Sequence, residues 1–230
     1  MPKVAKLQPS QSRFLLSLAG LGGVALILLL GRMNYTDSAR FAFLAWNLLL
    51  SVLPLFFAWW LVGSVRSRGW SRWQSVVLAI LWILFLPNSF YLITDFVHLR
   101  ASYEIGLLYD VALFFSFAAA GLVYGLVSLY LVHRVLLEKV SLRISWSIVG
   151  TLLMAVSFAL YLGRFGRWNS WDVLFRPAGI LFDVSDRFIN PAAHSTTYQV
   201  TVIFFFVIAS LYWVLFESAL LLEGKRKTKK

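Results

Sequence analysis

The chain has 230 residues, of which 60% are hydrophobic and only 13% are charged, so it is an integral membrane protein rather than a soluble domain. It has no cysteine, which excludes disulfides, thiolate catalysis and cysteine-based metal sites. The net charge is +11, but the basic residues form short clusters between apolar runs, a pattern that reports membrane topology and argues against nucleic acid as a partner.

Six apolar runs are long enough to cross a bilayer as helices, so the sequence predicts an all-α, polytopic membrane helix bundle. The first run is interpreted as an uncleaved helix, because no Ala-x-Ala cleavage site follows it closely. The predicted spans are residues 14–31, 41–63, 76–98, 107–131, 144–162 and 200–222.

These spans form one transmembrane domain over residues 14–222, between a basic head (1–13) and a polybasic tail (223–230). Six spans place both termini on one side of the membrane, and fourteen of the 21 Lys and Arg residues belong to that side. The positive-inside rule therefore predicts cytoplasmic termini and outer loops at 99–106 and 163–199.

The third span contains a polar stripe within the segment Leu86–Arg100. Its main members recur at helical spacing and fall within an arc of about 80°. Polar groups at membrane depth are costly unless they find partners, so the stripe is a predicted binding site. Pro87 frees the carbonyl of Ile83 and predicts a kink, for which a purely structural role is the alternative. The polar residues of the stripe are Asn88, Tyr91, Thr94, Asp95 and His98.

Asp95 and His98 are three residues apart and share one helical face near the predicted outer surface. This spacing suits a carboxylate and an imidazole that bind one metal ion, or a histidine oriented for proton transfer. Tyr109 and Asp110 begin the fourth span at the same level, so the predicted set of ligands for a divalent metal is Asp95, His98 and Asp110. The alternative to a functional pair is a hydrated helix end, where Asp95 and His98 both face headgroup water.

A second polar cluster follows the fifth span and contains Arg164, Arg167, Asn169 and Asp172. The arginines can snorkel to lipid phosphates, bind an anionic headgroup or pair with carboxylates across the bundle. We predict that Arg164 or Arg167 contacts Asp95, Asp110 or Asp172. The segment 171–190 contains the apolar stretch Gly179–Phe182 and is suited either to the membrane interface or to a re-entrant position.

The fourth span has a small-residue face, which predicts close packing against another helix rather than ligand binding. No internal repeat relates the two halves of the chain, and no soluble-enzyme signature is present. The small residues are Ala118, Gly121, Gly125 and Ser128.

The segments LPNSFYLITDFVHL, Tyr109-Asp110 and YLGRFGRWNSWD occur in this order. With them, the chain resembles the bacterial family known as domain of unknown function 1361, over most of its length from about the second span onward. The resemblance implies a small multi-pass protein of the bacterial plasma membrane, and it adds no catalytic role to any residue.

Three functions remain open. The first is a non-enzymatic membrane protein whose outer pocket binds an ion, a lipid headgroup or a small solute. The second is a metal-dependent hydrolase or transferase that acts on a lipid-linked or phosphorylated substrate, with the metal on Asp95, His98 and Asp110 and the phosphate on Arg164 and Arg167. The third is a small secondary transporter. The expected partners are the lipid bilayer and an anionic lipid or lipid-linked substrate.

Overall fold

The computed structural model describes residues 9–99 and 106–227, and within these ranges the chain is helical and has no strand. Two 3₁₀ turns are present, Asp95–His98 after the third helix and Pro191–His194 before the last. The helices are α1 (Pro9–Thr36), α2 (Phe43–Arg68), α3 (Trp73–Thr94), α4 (Leu107–Leu137), α5 (Leu142–Phe165), α6 (Asp172–Phe175), α7 (Pro177–Ile189) and α8 (Ser195–Lys227).

Six of these helices, α1 to α5 and α8, are long and apolar enough to cross a membrane, which confirms the predicted polytopic bundle. Parts of the predicted head, outer loop and tail lie outside the described residues, namely 1–8, 100–105 and 228–230. The helices extend beyond the predicted spans, most clearly α8, which has 33 residues. Such a helix is about 50 Å long, whereas the hydrocarbon core is about 30 Å thick. An apolar run therefore indicates the part of a helix inside the hydrocarbon core, and it does not indicate where the helix ends.

The bundle has two buried clusters of apolar side chains. One contains side chains from α2, α3, α4, α5 and α8, and includes Leu61, Leu86 and Tyr212. The other joins α1, α2, the end of α3 and α4, and includes Leu29, Leu44 and Phe117. Helices α2, α3 and α4 contribute to both clusters, while α1 contributes only to the second and α5 and α8 only to the first. The central three helices therefore connect the two packed regions.

The predicted small-residue face of α4 packs against α3. A Cβ atom on Gly121 would lie 2.4 Å from the carbonyl oxygen of Ser89, and one on Gly125 would lie 2.7 Å from the ring of Phe90. These distances are too short for a side chain, so the two backbones approach closely only because these positions are glycine. The packing prediction is confirmed.

Helices α1, α3 and α5 finish, and helices α2, α4 and α8 begin, at the same end of the bundle. We call this end the motif end. The predicted long loop 163–199 lies there and is largely helical, since it contains α6 and α7. Helix α7 exposes the apolar side chains of Leu181, Phe182 and Phe188 and buries Arg187. An amphipathic helix of this kind is typical of the membrane interface.

Candidate functional site

A cavity of about 360 Å³ lies at the motif end between α2, α3 and α5. Six of the predicted site residues line it, and the chain segment after α5 closes one side. Two further polar residues, Asn47 and Ser170, also line it. The six predicted residues are Asn88, Tyr91, Asp95, His98, Arg164 and Asn169.

Arg164 and Asp95 form an ion pair at the edge of this cavity, as the sequence predicted for one arginine and one carboxylate. Nη2 of Arg164 donates to Oδ1 of Asp95. The side chain of Asp95 is 1% exposed and that of Arg164 is 12% exposed. A buried carboxylate is tolerated when a cation compensates it, and this pairing joins α5 to the end of α3.

The Arg164 guanidinium has further hydrogen-bond partners in the protein. Nε and Nη2 donate to Oγ1 of Thr94 at 2.9 and 2.7 Å, and Nη1 lies 2.8 Å from Nε2 of His98. A guanidinium has only donors, so Nε2 of His98 is the acceptor in this contact. The guanidinium also lies over the ring of Tyr91, 4.3 Å from its centroid.

Asn47 completes the surroundings of the ion pair. Its Nδ2 donates to Oδ2 of Asp95 at 3.0 Å, so both carboxylate oxygens have a donor. Asn47 comes from the first turns of α2, Asp95 from the end of α3 and Arg164 from the end of α5. One carboxylate therefore holds three transmembrane helices together at the motif end.

Deeper in the cavity, the segment 166–171 turns back into the bundle. Ser170 Oγ donates to the carbonyl oxygen of Leu84 at 2.8 Å and accepts from Asn88 Nδ2 at 2.9 Å. Leu84 lies roughly 15 Å along α3 from Thr94 at 1.5 Å per residue. Non-helical backbone at membrane depth is tolerated where protein or a cavity surrounds it, as here.

Around Pro87, α3 remains a continuous helix. Asn88 Nδ2 also donates to the carbonyl oxygen of Phe85 at 3.1 Å, and Ser170 binds the carbonyl of Leu84. Asn88 and Ser170 thus bind two backbone carbonyls near the proline, those of Phe85 and Leu84, and neither is the Ile83 carbonyl that Pro87 frees. The helix does not break at Pro87.

Trp168 forms part of the cavity wall and connects it to α7. Its indole Nε1 donates to Oδ2 of Asp183 at 2.6 Å, and a Cβ atom on Gly179 would lie 2.8 Å from its ring. Burial alone would raise the pKa of Asp183, but hydrogen bonds from Arg187 and Trp168 outweigh it and lower that pKa. The cavity wall and α7 are therefore held together.

Asp172 and Arg167, both predicted site residues, do not line the cavity. Asp172 is buried and accepts from the backbone N–H of Asn169 at 2.7 Å and from Arg176 Nη2 at 2.8 Å. These contacts, the backbone one first, lower the pKa of the Asp172 carboxyl. Asp172 thus stabilises the turn into α6. Arg167 is exposed and has a positive φ of 56°.

Tyr109 and Asp110 lie in a different part of the bundle, between α4 and α1. Asp110 Oδ1 is 2.7 Å from Arg32 Nε, and both side chains are 1% exposed. Tyr109 donates to the carbonyl oxygen of Leu28 at 2.7 Å. These residues are at the predicted level but on another side of the bundle.

The predicted metal ligands Asp95, His98 and Asp110 are therefore not brought together. Asp95 and Asp110 each have their own arginine, Arg164 and Arg32. Across residues 9–99 and 106–227, no group of three or more His, Asp or Glu side chains could hold a metal ion. The physical reason is that a carboxylate in an apolar bundle needs one compensating charge, and an arginine supplies it here in place of a metal.

Sequence reasoning missed three residues that complete these clusters: Arg32, Asn47 and Ser170. Asn47 stands out in the sequence as an amide inside the second apolar run, and Arg32 as a cation at the end of the first. Both patterns indicate a polar partner on another helix. Ser170 carries no comparable signal, because serine is common in loops.

The comparisons with known proteins give one match. Residues 46–211 match the family described as protein of unknown function (DUF1361), whereas no curated protein and no solved structure matches the chain. The matched range is more than half of the chain and includes every polar residue that lines the cavity. The chain, with its six helices long and apolar enough to span a membrane, therefore belongs to the DUF1361 family.

Proposed function

We propose that this protein is a binding protein of the membrane, and that its motif-end cavity takes a small polar molecule, either a free solute or a lipid headgroup. One observation carries the proposal. A cavity lined by eight polar side chains lies inside an apolar bundle, where such groups are costly without a function. Its volume of about 360 Å³ is within the range of about 300–1,000 Å³ typical of small-molecule sites.

The arrangement of side chains supports binding rather than simple packing. The ion pair of Arg164 and Asp95 already links the helices at one edge of the cavity. The amides of Asn88 and Asn169 also line the cavity; their Nδ2 groups bond protein atoms, while their oxygens accept no hydrogen bond within the described residues. Apolar walls with a few placed polar groups are the usual composition of a ligand site.

Filling the lower part of the cavity should abolish binding. Leu84 lines the cavity with a partly exposed side chain, so Leu84→Trp places an indole where the ligand would lie. The protein would be extracted with surrounding membrane lipids into nanodiscs, and molecules retained after release would be identified by native mass spectrometry. We expect at least one molecule that the wild type retains and Leu84→Trp loses.

The matched control is Ile80→Trp, one turn earlier on α3, where the side chain is 57% exposed and does not line the cavity. This variant should retain the molecule as the wild type does. If no retained molecule distinguishes the wild type from Leu84→Trp, the proposed function is wrong.

The proposal includes an orientation, with the cavity on the outer face of the bacterial plasma membrane and both termini in the cytoplasm. The charge asymmetry supports it, since fourteen of the 21 basic residues belong to the side of the termini. The native chain has no cysteine, so single cysteines report position without background. Exposed positions exist at both ends, Ala193 at the motif end and Ser71 at the other.

A membrane-impermeant maleimide should label Ala193→Cys in intact cells and Ser71→Cys only after the cells are permeabilised. Both variants should label fully in detergent, which controls for reactivity. The reverse pattern would place the cavity in the cytoplasm and overturn the orientation.

A further inference from the structure

We infer that the ligand of the motif-end cavity is electrically neutral and rich in hydroxyl groups, which is the chemistry of a glycosyl group, carried free or on a lipid. The inference rests on the proposed function and specifies its ligand. It follows from three properties of the cavity: balanced charge, unused amide acceptors and indole walls.

The charged groups of the cavity neutralise each other. Arg164 donates to Thr94 and Asp95 and faces Nε2 of His98, so most of its five N–H groups are already used. A phosphate at this arginine would have to break the ion pair and strand the buried carboxylate of Asp95. A metal ion at Asp95 would compete with Arg164 and Asn47 for the same two oxygens. A neutral ligand has neither cost.

The neutral polar groups, by contrast, have capacity to spare. Asn47, Asn88 and Asn169 all line the cavity and use their Nδ2 groups as donors to protein atoms. Within the described part of the chain, none of their amide oxygens accepts a hydrogen bond and none is among the buried unpaired atoms. Three accessible acceptors around one cavity match a ligand with several O–H donors.

The aromatic walls of the cavity suit the apolar C–H face of a sugar ring. Trp46 and Trp168 both line it, and Trp46 is 54% exposed. The C–H face of a pyranose is apolar and flat, so it packs on an indole while its hydroxyls reach the amides at the ring edge. The ring of Tyr91 is already covered by the Arg164 guanidinium, and that of Trp168 by the Arg176 guanidinium at 5.3 Å from its centroid, so Trp46 is the available surface.

The test uses purified protein in nanodiscs, with no glycoside detergent at any step, because an alkyl glycoside would occupy the site. The free probes are the methyl β-glycosides of glucose, galactose and N-acetylglucosamine, together with inorganic phosphate and magnesium ion. The lipid probes are a monoglucosyl and a monogalactosyl diacylglycerol and phosphatidic acid, each at the same fraction in a phosphatidylcholine bilayer. Retention is measured by native mass spectrometry.

We expect at least one glycosyl probe to be retained at least tenfold above phosphatidic acid, phosphate and magnesium. Trp46→Ala should lower this retention about fivefold or more, as expected for a lost aromatic contact. The control is Trp213→Ala, on α8 outside the cavity and 62% exposed, which should bind like the wild type. Retention of a methyl glycoside identifies a free sugar as the source, and retention of a glycolipid alone identifies a lipid.

Three results would overturn the inference. Preferential retention of phosphatidic acid, phosphate or magnesium would show a charged ligand and leave the proposed function standing. Retention of none of the glycosyl probes, or equal retention by Trp46→Ala, would also exclude this ligand class. The comparison of Leu84→Trp with the wild type decides the proposed function separately, because it uses molecules from the native membrane and no chosen probe.

Discussion

Arg164→Ala should destabilise the protein by about 3–5 kcal/mol, the loss expected when one partner of a buried ion pair is removed. The cause is the carboxylate left behind, since Asp95 is 1% exposed and would keep only Asn47 as a donor among the residues described. Asp95→Asn in the same background removes the stranded charge and should restore part of the loss. Equilibrium unfolding in mixed micelles of all four members of the cycle measures the coupling.

The matched control for this cycle is the pair of Arg134 and Glu223, whose side chains are 38% and 44% exposed at 3.1 Å. Exposed pairs contribute about 0–1 kcal/mol, so Arg134→Ala should change the unfolding free energy little. A coupling between Arg164 and Asp95 below about 0.5 kcal/mol would contradict the structural role assigned to this pair.

Gly121→Ala should also be strongly destabilising, although it adds only one methyl group. The new Cβ would lie 2.4 Å from the carbonyl oxygen of Ser89 and 2.7 Å from Leu92 Cδ1. A backbone oxygen of a packed helix cannot turn aside as a side chain does, so α3 and α4 must separate. We expect a loss of about 1–3 kcal/mol or more in the free energy of unfolding.

Gly150→Ala in α5 is the control, because nothing lies within 4 Å of a Cβ atom at that position. Alanine favours a helix over glycine by about 1 kcal/mol, so this variant should be neutral or more stable. Equal destabilisation by the two substitutions would indicate that steric contact with α3 is not the cause.

The sequence predicted the helices well because a bilayer imposes a simple rule, namely that an apolar run of sufficient length must hydrogen-bond its own backbone. It predicted their ends less well, since polar residues continue a helix into the headgroup region. Helix α7 was expected only as an apolar segment. With 13 residues it is too short for its own propensity to specify it, and its packing on Trp168 stabilises it.

Part of the candidate site could likewise be predicted from the sequence, and part could not. The link from Arg164 to Asp95 could be predicted, because a buried carboxylate requires a cation and only a few lie at its depth. The position of Asp110 could not be predicted, because position along a span gives depth in the membrane but no direction around the bundle. The segment that carries Ser170 depends on contacts with α3 that no local pattern encodes.

The order of the two ion pairs along the chain has a consequence for biosynthesis. Arg32 is made before Asp110, so the cation is present when the carboxylate enters the membrane. For Asp95 the order is reversed, and its arginine follows 69 residues later. At about 5–20 residues per second, the third span waits roughly 3–14 seconds for α5. During that interval, Asn47 on the neighbouring span is a donor to Asp95 that has already been made, so we expect α2 and α3 to pair before α5 joins them.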